Sequence, residues 1–174
     1  MIASDGVRNT LNFLLFQAGW LVCVLYPTLM AFGVAIALVG LHLVLVSRER
    51  FSELQFIGLG TVAGAALDTF WLQTGVLHTD TGDLVVAPPW LVALWALFMT
   101  TLCHSLKWIG QKPWLPFVLA PIAGPFAYWS AGQLGAVTFT NLPLSLAALA
   151  LGWGLLFPLL LRIRGFLYPE LCHA

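Results

Sequence analysis

Charge is scarce in this sequence. Of 174 residues only 8% are charged and 60% are hydrophobic, against roughly 45–50% apolar and about 25% charged in an ordinary soluble domain. That shortage excludes an ordinary soluble globular fold. Seven Lys+Arg balance seven Asp+Glu for a formal net charge of +0. The chain therefore has neither a basic surface for a nucleic-acid backbone nor an acidic tail for a basic partner, and nucleic acid is excluded as a partner. Cysteine is scarce too. Cys23, Cys103 and Cys172 are too few and too widely spaced for a disulfide framework, and no CxxC or Cys/His cluster stands at metal-ligand spacing. The adjacent Cys172 and His173 are a weak signal for a metal, and a cysteine third from the end does not make a prenylation box. No cofactor and no metal is assigned from the sequence.

What the chain has in quantity is apolar length and aromatic side chains, including 8 Trp and 12 Phe. A spanning helix needs about 20 mostly apolar residues, and six such stretches can be drawn, at 10–26, 29–47, 54–76, 90–109, 114–134 and 144–161. They predict an all-α polytopic membrane protein of six transmembrane helices, a single integral-membrane domain over residues 1–174. Pro27 starts a very short first turn. The stretch from Leu77 to Pro89, with His78, Asp80, Gly82, Asp83 and the Pro88–Pro89 pair, reads as a loop with room for a short hairpin. With these spans drawn, Arg8, Arg48, Arg50, Lys107, Lys112, Arg162 and Arg164 all fall on one side. The positive-inside rule then puts both termini in the cytoplasm, as an even number of spans also requires. Trp71 and Trp90 at the outer boundary and Trp108 and Trp114 at the inner one suit an interfacial belt.

Asp68 is the residue that needs a reason. At about 1.5 Å per residue it stands roughly 21 Å into the third span, in the outer half of the hydrocarbon, with no Lys or Arg at its depth. Gly60, Gly64 and Asp68 recur every fourth residue and so share a helical face. Small residues at that spacing allow close helix contact, which turns Asp68 into the bundle. An intramembrane acid marks a substrate or proton site by default; the plainer role is a hydrogen-bonded carboxyl that fixes packing. Gln17 and Tyr128 stand at compatible depth as partners. A second polar group, Asn12, His42, Glu53 and His104, falls within roughly 8 Å of the inner boundary. Its residue types suit proton exchange, and Thr100, one turn from His104, is placed to orient it. The same residues could equally reach headgroups or water with no special task. His42, Glu53 and His104 have the right ligand chemistry for a metal but no spacing signature. Pro121 and Pro125 predict a kinked or broken fifth span, of the kind that can line a cavity. Three spans followed by three would make the halves inverted, but no convincing match between them is visible.

Several runs resemble one family. Asn12-Phe13-Leu14-Leu15-Phe16-Gln17, the segment from Gly64 through Asp68 to Gly75-Val76-Leu77, Pro89-Trp90-Leu91 with Leu94-Trp95-Ala96-Leu97-Phe98, and Gly124-Pro125-Phe126-Ala127-Tyr128 look like the bacterial inner-membrane proteins grouped as DUF2878. The resemblance covers most of the chain and implies a multi-pass protein of the bacterial inner membrane. It implies no catalytic residues, because none is established for the family. It does imply a link to lipid chemistry, through genes for cyclopropane-type fatty-acid modification that accompany those of the family. On that footing the expected activity is handling, or helping to modify, a lipid-like substrate. Membrane lipid and a lipid-modifying enzyme are the expected partners. A small proton-coupled transporter using Asp68 and a structural or assembly subunit of a membrane complex are the alternatives. The sequence does not decide whether the chain is an enzyme.

Overall fold

The computed structural model describes residues 4–80 and 86–172. Gly82, Asp83 and His173, named above, lie outside the described residues. The described residues form six α-helices: α1 (Asp5–Leu25), α2 (Leu29–Leu45), α3 (Arg50–Gln73), α4 (Pro89–Thr101), α5 (Leu115–Gln133) and α6 (Leu142–Leu167), with 3-10 turns at Lys107–Gln111 and Pro169–Cys172. The fold is therefore all-α. Three helices start on side-chain caps, in which Ser4, Thr28 and Asn141 accept from the backbone N–H three residues on. These caps satisfy amides that have no partner within the helix. By length and composition α6 is long and apolar enough to cross a membrane, while α2 and α4 are shorter apolar helices.

Two spans differ from the sequence expectation in instructive ways. The fourth was drawn to residue 109, yet α4 stops at Thr101. Its last carbonyls are taken by side chains from elsewhere: Asn12 Nδ2 donates to the Thr100 carbonyl at 3.2 Å, and Arg164 donates to that of Leu102. A helix whose terminal acceptors are already satisfied can end inside the bundle without cost. Arg8 does the same for α2, donating to the Val46 carbonyl. Arg8 and Arg164 are thus buried caps as well as charges. Of the kink and the break that Pro121 and Pro125 left open for the fifth span, the break is absent, since both lie inside the continuous α5. Of the expected aromatic belt, Trp108 and Trp114 are exposed, whereas Trp71 and Trp90 are buried in the interior.

The helices pack as a four-helix group, α1 to α4, and a hairpin, α5–α6, that reaches α3 through α6. A relation between α3–α4 and α5–α6 organises this packing. Helices α3 and α5 end alike, in Gln73-Thr74-Gly75 and Gln133-Leu134-Gly135. Both glycines have positive φ, 71° and 85°, the left-handed cap conformation that glycine adopts without a Cβ penalty. Behind each cap the N–H two residues after the glycine's predecessor returns to the helix, Val76 to Trp71 and Ala136 to Ala131. Three residues beyond each glycine, His78 and Thr138 pair in an antiparallel bridge, with N···O distances of 2.8 and 2.9 Å. The loop after α3 therefore pairs with the loop after α5 instead of folding into its own hairpin.

The same interval along the chain relates Gly64 to Gly124 and Asp68 to Tyr128. Gly64 lies under the ring of Trp95 and Gly124 under that of Trp153, so close that a Cβ would stand 1.9 and 2.2 Å from ring atoms. The two indoles stack on each other, 4.9 Å apart and 15° from parallel. Residues that touch their own counterparts lie at a local two-fold axis. His78–Thr138, Asp68–Tyr128 and Trp95–Trp153 all do so, which relates the two helix pairs by an approximate two-fold, with an interval of 60 residues between counterparts on α3 and α5 and of 58 between Trp95 and Trp153. The units are adjacent in the chain and share an end, so they are related in parallel and not as inverted halves.

Candidate functional site

The axis carries the first polar site. Asp68, on the face shared with Gly60 and Gly64, is fully buried. Its Oδ2 accepts from Trp95 Nε1 at 2.7 Å and its Oδ1 from the Tyr128 hydroxyl at 2.5 Å. The glycines let α4 approach: a Cβ at Gly60 would meet the Met99 sulfur and one at Gly64 the Trp95 ring. The inward turn predicted for Asp68 is thus the observed one. Tyr128 is its partner as expected. Gln17 is not, because it faces outward on α1 and lines a separate, open hollow with Phe126 and Gln133. Trp95 is the partner the sequence reading missed. Its only signal was its place on α4, as an aromatic that could cover Gly64.

Beside this site lies a cavity of about 420 Å³ between the four-helix group and the α5–α6 hairpin. Its walls include Phe16 and Trp20 of α1, Leu94 and Phe98 of α4, and Ala123 and Ala127 of α5. Trp90 stands at one end and Trp108 at the other. Small residues on α5 leave this space unfilled. Asp68 is not on its surface; Trp95 and Tyr128 are. The polar pocket expected around Asp68 is therefore an apolar cavity with Asp68 behind its wall, where the carboxyl holds the two aromatic groups that do face the space. Trp90 brings a further polar atom, an indole N–H that is buried with no partner among the described residues. An apolar cavity within the roughly 300–1,000 Å³ range, with a few fixed polar groups, is the usual form of a small-molecule site.

The second polar group comes together as the depth argument predicted, although its members are far apart in sequence. Glu53 enters from the first turn of α3, His42 from the last turn of α2 and His104 from the turn after α4. Glu53 Oε1 lies 2.8 Å from His42 Nε2 and 3.0 Å from His104 Nε2. The rings of His42 and His104 meet edge to face at 4.9 Å. Asn12 holds the group from α1: its Nδ2 is 3.2 Å from His42 Nδ1 and its Oδ1 accepts from the Ser105 hydroxyl at 2.6 Å. Thr100 bonds Asn12 at 3.1 Å, so it positions Asn12 and not His104. Ser105 was missed, as a serine in a short turn carries no sequence signal of its own. All four principal side chains are at most 5% exposed. The plainer alternative, side chains reaching for headgroups or water, does not describe them. One donor atom from each of His42, Glu53 and His104 lies within 4.8 Å of the others, a donor set that a divalent transition ion could use.

Residues 9–159 match the family described as "Protein of unknown function (DUF2878)". The chain belongs to this family. No curated protein and no solved structure matches it. The matched residues include both polar sites and every α5 residue named above, so the DUF2878 region contains the whole arrangement.

Proposed function

We propose that this chain is a six-helix protein of the bacterial inner membrane, with both termini cytoplasmic, that holds the acyl part of a lipid in the cavity between its four-helix group and the α5–α6 hairpin. The observation that carries the reading is the cavity itself: aromatic and aliphatic walls over its length, with hydroxyl and indole groups fixed by Asp68 at one place in the wall. An acyl chain suits such walls, and since Trp95 and Tyr128 both donate to Asp68, the unpaired indole N–H of Trp90 is the donor left for an ester or headgroup oxygen. The membrane setting is supported by the outer surface, where Leu144, Leu151 and Leu155 of α6 and Ile122 and Phe126 of α5 are all more than 60% exposed. It is supported too by the placing of every Lys and Arg on one side of the spans. Helices of 13 and 17 residues are about 20 and 26 Å long at 1.5 Å per residue, short for a full crossing. The role in the cell is help to an enzyme of membrane fatty-acid modification, with membrane lipid as ligand.

The test is native mass spectrometry of the full chain released gently from membranes. A bound lipid is expected in the wild type and lost in Ala127→Trp, which fills the cavity from α5. Lipid retained equally by a folded Ala127→Trp variant would overturn the cavity as its site. An unchanged lipid profile in a deletion strain under inducing stress would count against the pathway role alone.

A further inference from the structure

Two spaces in the bundle meet. The open hollow that Gln17 lines with Phe126 and Gln133 shares Phe16, Trp20 and Ala127 with the apolar cavity. It lies between α1, which packs on α2 and α4, and α5, which packs on α6. The cavity therefore has a mouth on the side of the bundle. Apart from tryptophan, the polar side chains along that mouth are Gln17, Gln133 and Ser130, and the Ser130 hydroxyl is already committed to the Phe126 carbonyl at 2.8 Å. Gln17 and Gln133 are exposed and make no hydrogen bond among the described residues, whereas Gln73, the counterpart of Gln133 at the end of α3, is not left free. A primary amide turned to hydrocarbon without a partner is costly, and polar side chains within spans mark the path of a substrate. In the orientation proposed above, α1 and α5 both run from the cytoplasmic to the outer face. Gln133 is the last residue of α5 and stands at the outer boundary, while Gln17 lies about 12 Å short of the end of α1 at 1.5 Å per residue. Trp90, the free donor of the cavity, opens α4 from that same outer side. Polar groups thus run from headgroup level down to the place where hollow and cavity join.

We propose that the gap between α1 and α5 is a lateral portal to the outer leaflet, in which Gln17 and Gln133 hold the glycerol-ester region of a glycerolipid whose acyl chain lies in the cavity. The proposal rests on the reading of the cavity as an acyl site and adds its entrance and the class of its ligand. Each amide offers one carbonyl acceptor and two N–H donors, so the pair serves ester carbonyls and a glycerol oxygen alike. Among the described residues no Lys or Arg lines either space. A phosphate therefore stays at the rim, in the headgroup layer, and a free fatty acid would carry its carboxylate charge to a place with no cation to meet it. A neutral ester meets neither difficulty. Ala127, at the junction, keeps the way open, while Ser130, about one turn further along α5, lines the hollow and not the cavity.

The test follows bound lipid by native mass spectrometry of the full chain in micelles, with dioleoyl phosphatidylethanolamine, oleic acid and hexadecane as probes. Gln17→Leu with Gln133→Leu should weaken retention of the phosphatidylethanolamine about tenfold, the worth of one or two net hydrogen bonds, and leave hexadecane held as in the wild type. Both side chains are exposed, so these replacements leave the packing of the bundle intact. Ser130→Trp fills the hollow alone and should slow the exchange of bound phosphatidylethanolamine for its deuterated form. Undiminished retention in the double variant, equal loss of hexadecane, tighter retention of oleic acid than of the glycerolipid by the wild type, or exchange at the wild-type rate in Ser130→Trp would each overturn the proposal. Its failure is distinguishable from that of the cavity reading. Lipid lost in Ala127→Trp but indifferent to Gln17, Gln133 and Ser130 overturns the portal alone, whereas lipid kept by a folded Ala127→Trp overturns the acyl site and the portal with it.

Discussion

The α3–α4 and α5–α6 units share a plan and differ in what covers them. When Trp95 and Trp153 are matched, Ala93, Leu97 and Thr101 of α4 correspond to Leu151, Leu155 and Leu159 of α6. The first three are 0%, 1% and 1% exposed; the second three are 70%, 73% and 51%. The reason is that α1 and α2 pack on that face of α4, while no described element packs on the same face of α6. The polar chemistry follows the cover. By the interval that relates the units, Glu53 corresponds to Pro113, and by the Trp95–Trp153 match His104 corresponds to Arg162. The covered unit contributes Glu53 and His104 to a buried polar cluster completed by His42 of α2 and Asn12 of α1, and its counterpart has Pro113 and Arg162 at the corresponding positions. At the axis, where Tyr128 donates to Asp68, both units contribute a buried side chain to one polar contact. The shared backbone plan supplies the frame here, and the difference in cover decides which unit can bury ionisable groups.

The sharpest way to break that comparison is at Glu53. Glu53→Ala leaves two buried imidazole N–H groups without their acceptor, and each should cost about 1–3 kcal/mol. Pro113→Ala, at the exposed corresponding position, should stay within about 0.5 kcal/mol. Denaturant titration in detergent measures both, and equal effects would dissolve the distinction. Next in size is the covered face. Leu97→Ala opens a cavity beneath α1 and α2 and should cost about 2–5 kcal/mol, toward the low end because lipid solvates leucine nearly as well as protein does. Its counterpart Leu155→Ala should be close to neutral.

Much of this was legible in the sequence where one helix carried the signal. The stripe Gly60, Gly64, Asp68 has helical period, so its inward turn followed from α3 alone. Asn12, His42, Glu53 and His104 were grouped by distance from a boundary, a quantity that counting residues supplies. What stayed hidden depends on pairs of distant elements. Arg8 and Arg164 read as topological charges because nothing local shows that each reaches the carbonyl end of another helix. The length of α4 was overestimated for the same reason, since hydropathy continues past Thr101 while its carbonyls are capped from α1 and α6. The relation between the units was missed because its marks are sparse: a glycine under each tryptophan, a Gln-x-Gly end on each of α3 and α5, and chemically unlike counterparts such as Asp68 and Tyr128.

A smaller effect should separate the two glycines beneath the tryptophans. Gly64→Ala and Gly124→Ala each drive a methyl into an indole, and overpacking of this kind costs about 1–3 kcal/mol. Gly64→Ala should be the worse of the two, because Trp95 cannot tilt away without lengthening its bond to Asp68, whereas Trp153 is not tied to that carboxyl. Thermal unfolding in detergent ranks them, and a larger loss for Gly124→Ala would show that the stacked indoles, and not the Asp68 bond, set the tolerance at the axis.

The smallest expected effect lies at the seam where the end of the second unit returns to the start of the first. Beyond α6, Tyr168 packs against Phe56 of α3, with ring centroids 5.7 Å apart. Next to it the Ser52 hydroxyl donates to the Glu170 carboxylate and holds that fully exposed group below the usual carboxylate range. A carboxyl lowered in the folded state contributes stability above its unfolded value, and that contribution disappears as pH falls through the folded one. Ser52→Ala should therefore lower the unfolding temperature slightly at neutral pH and not at all in acid, where the wild-type carboxyl is itself protonated. Such a difference should shrink with added salt, because the bond is open to solvent. A difference that persists unchanged in acid would assign the effect of Ser52 to its place in the first turn of α3, leaving Tyr168 and Phe56 to hold the seam by packing alone.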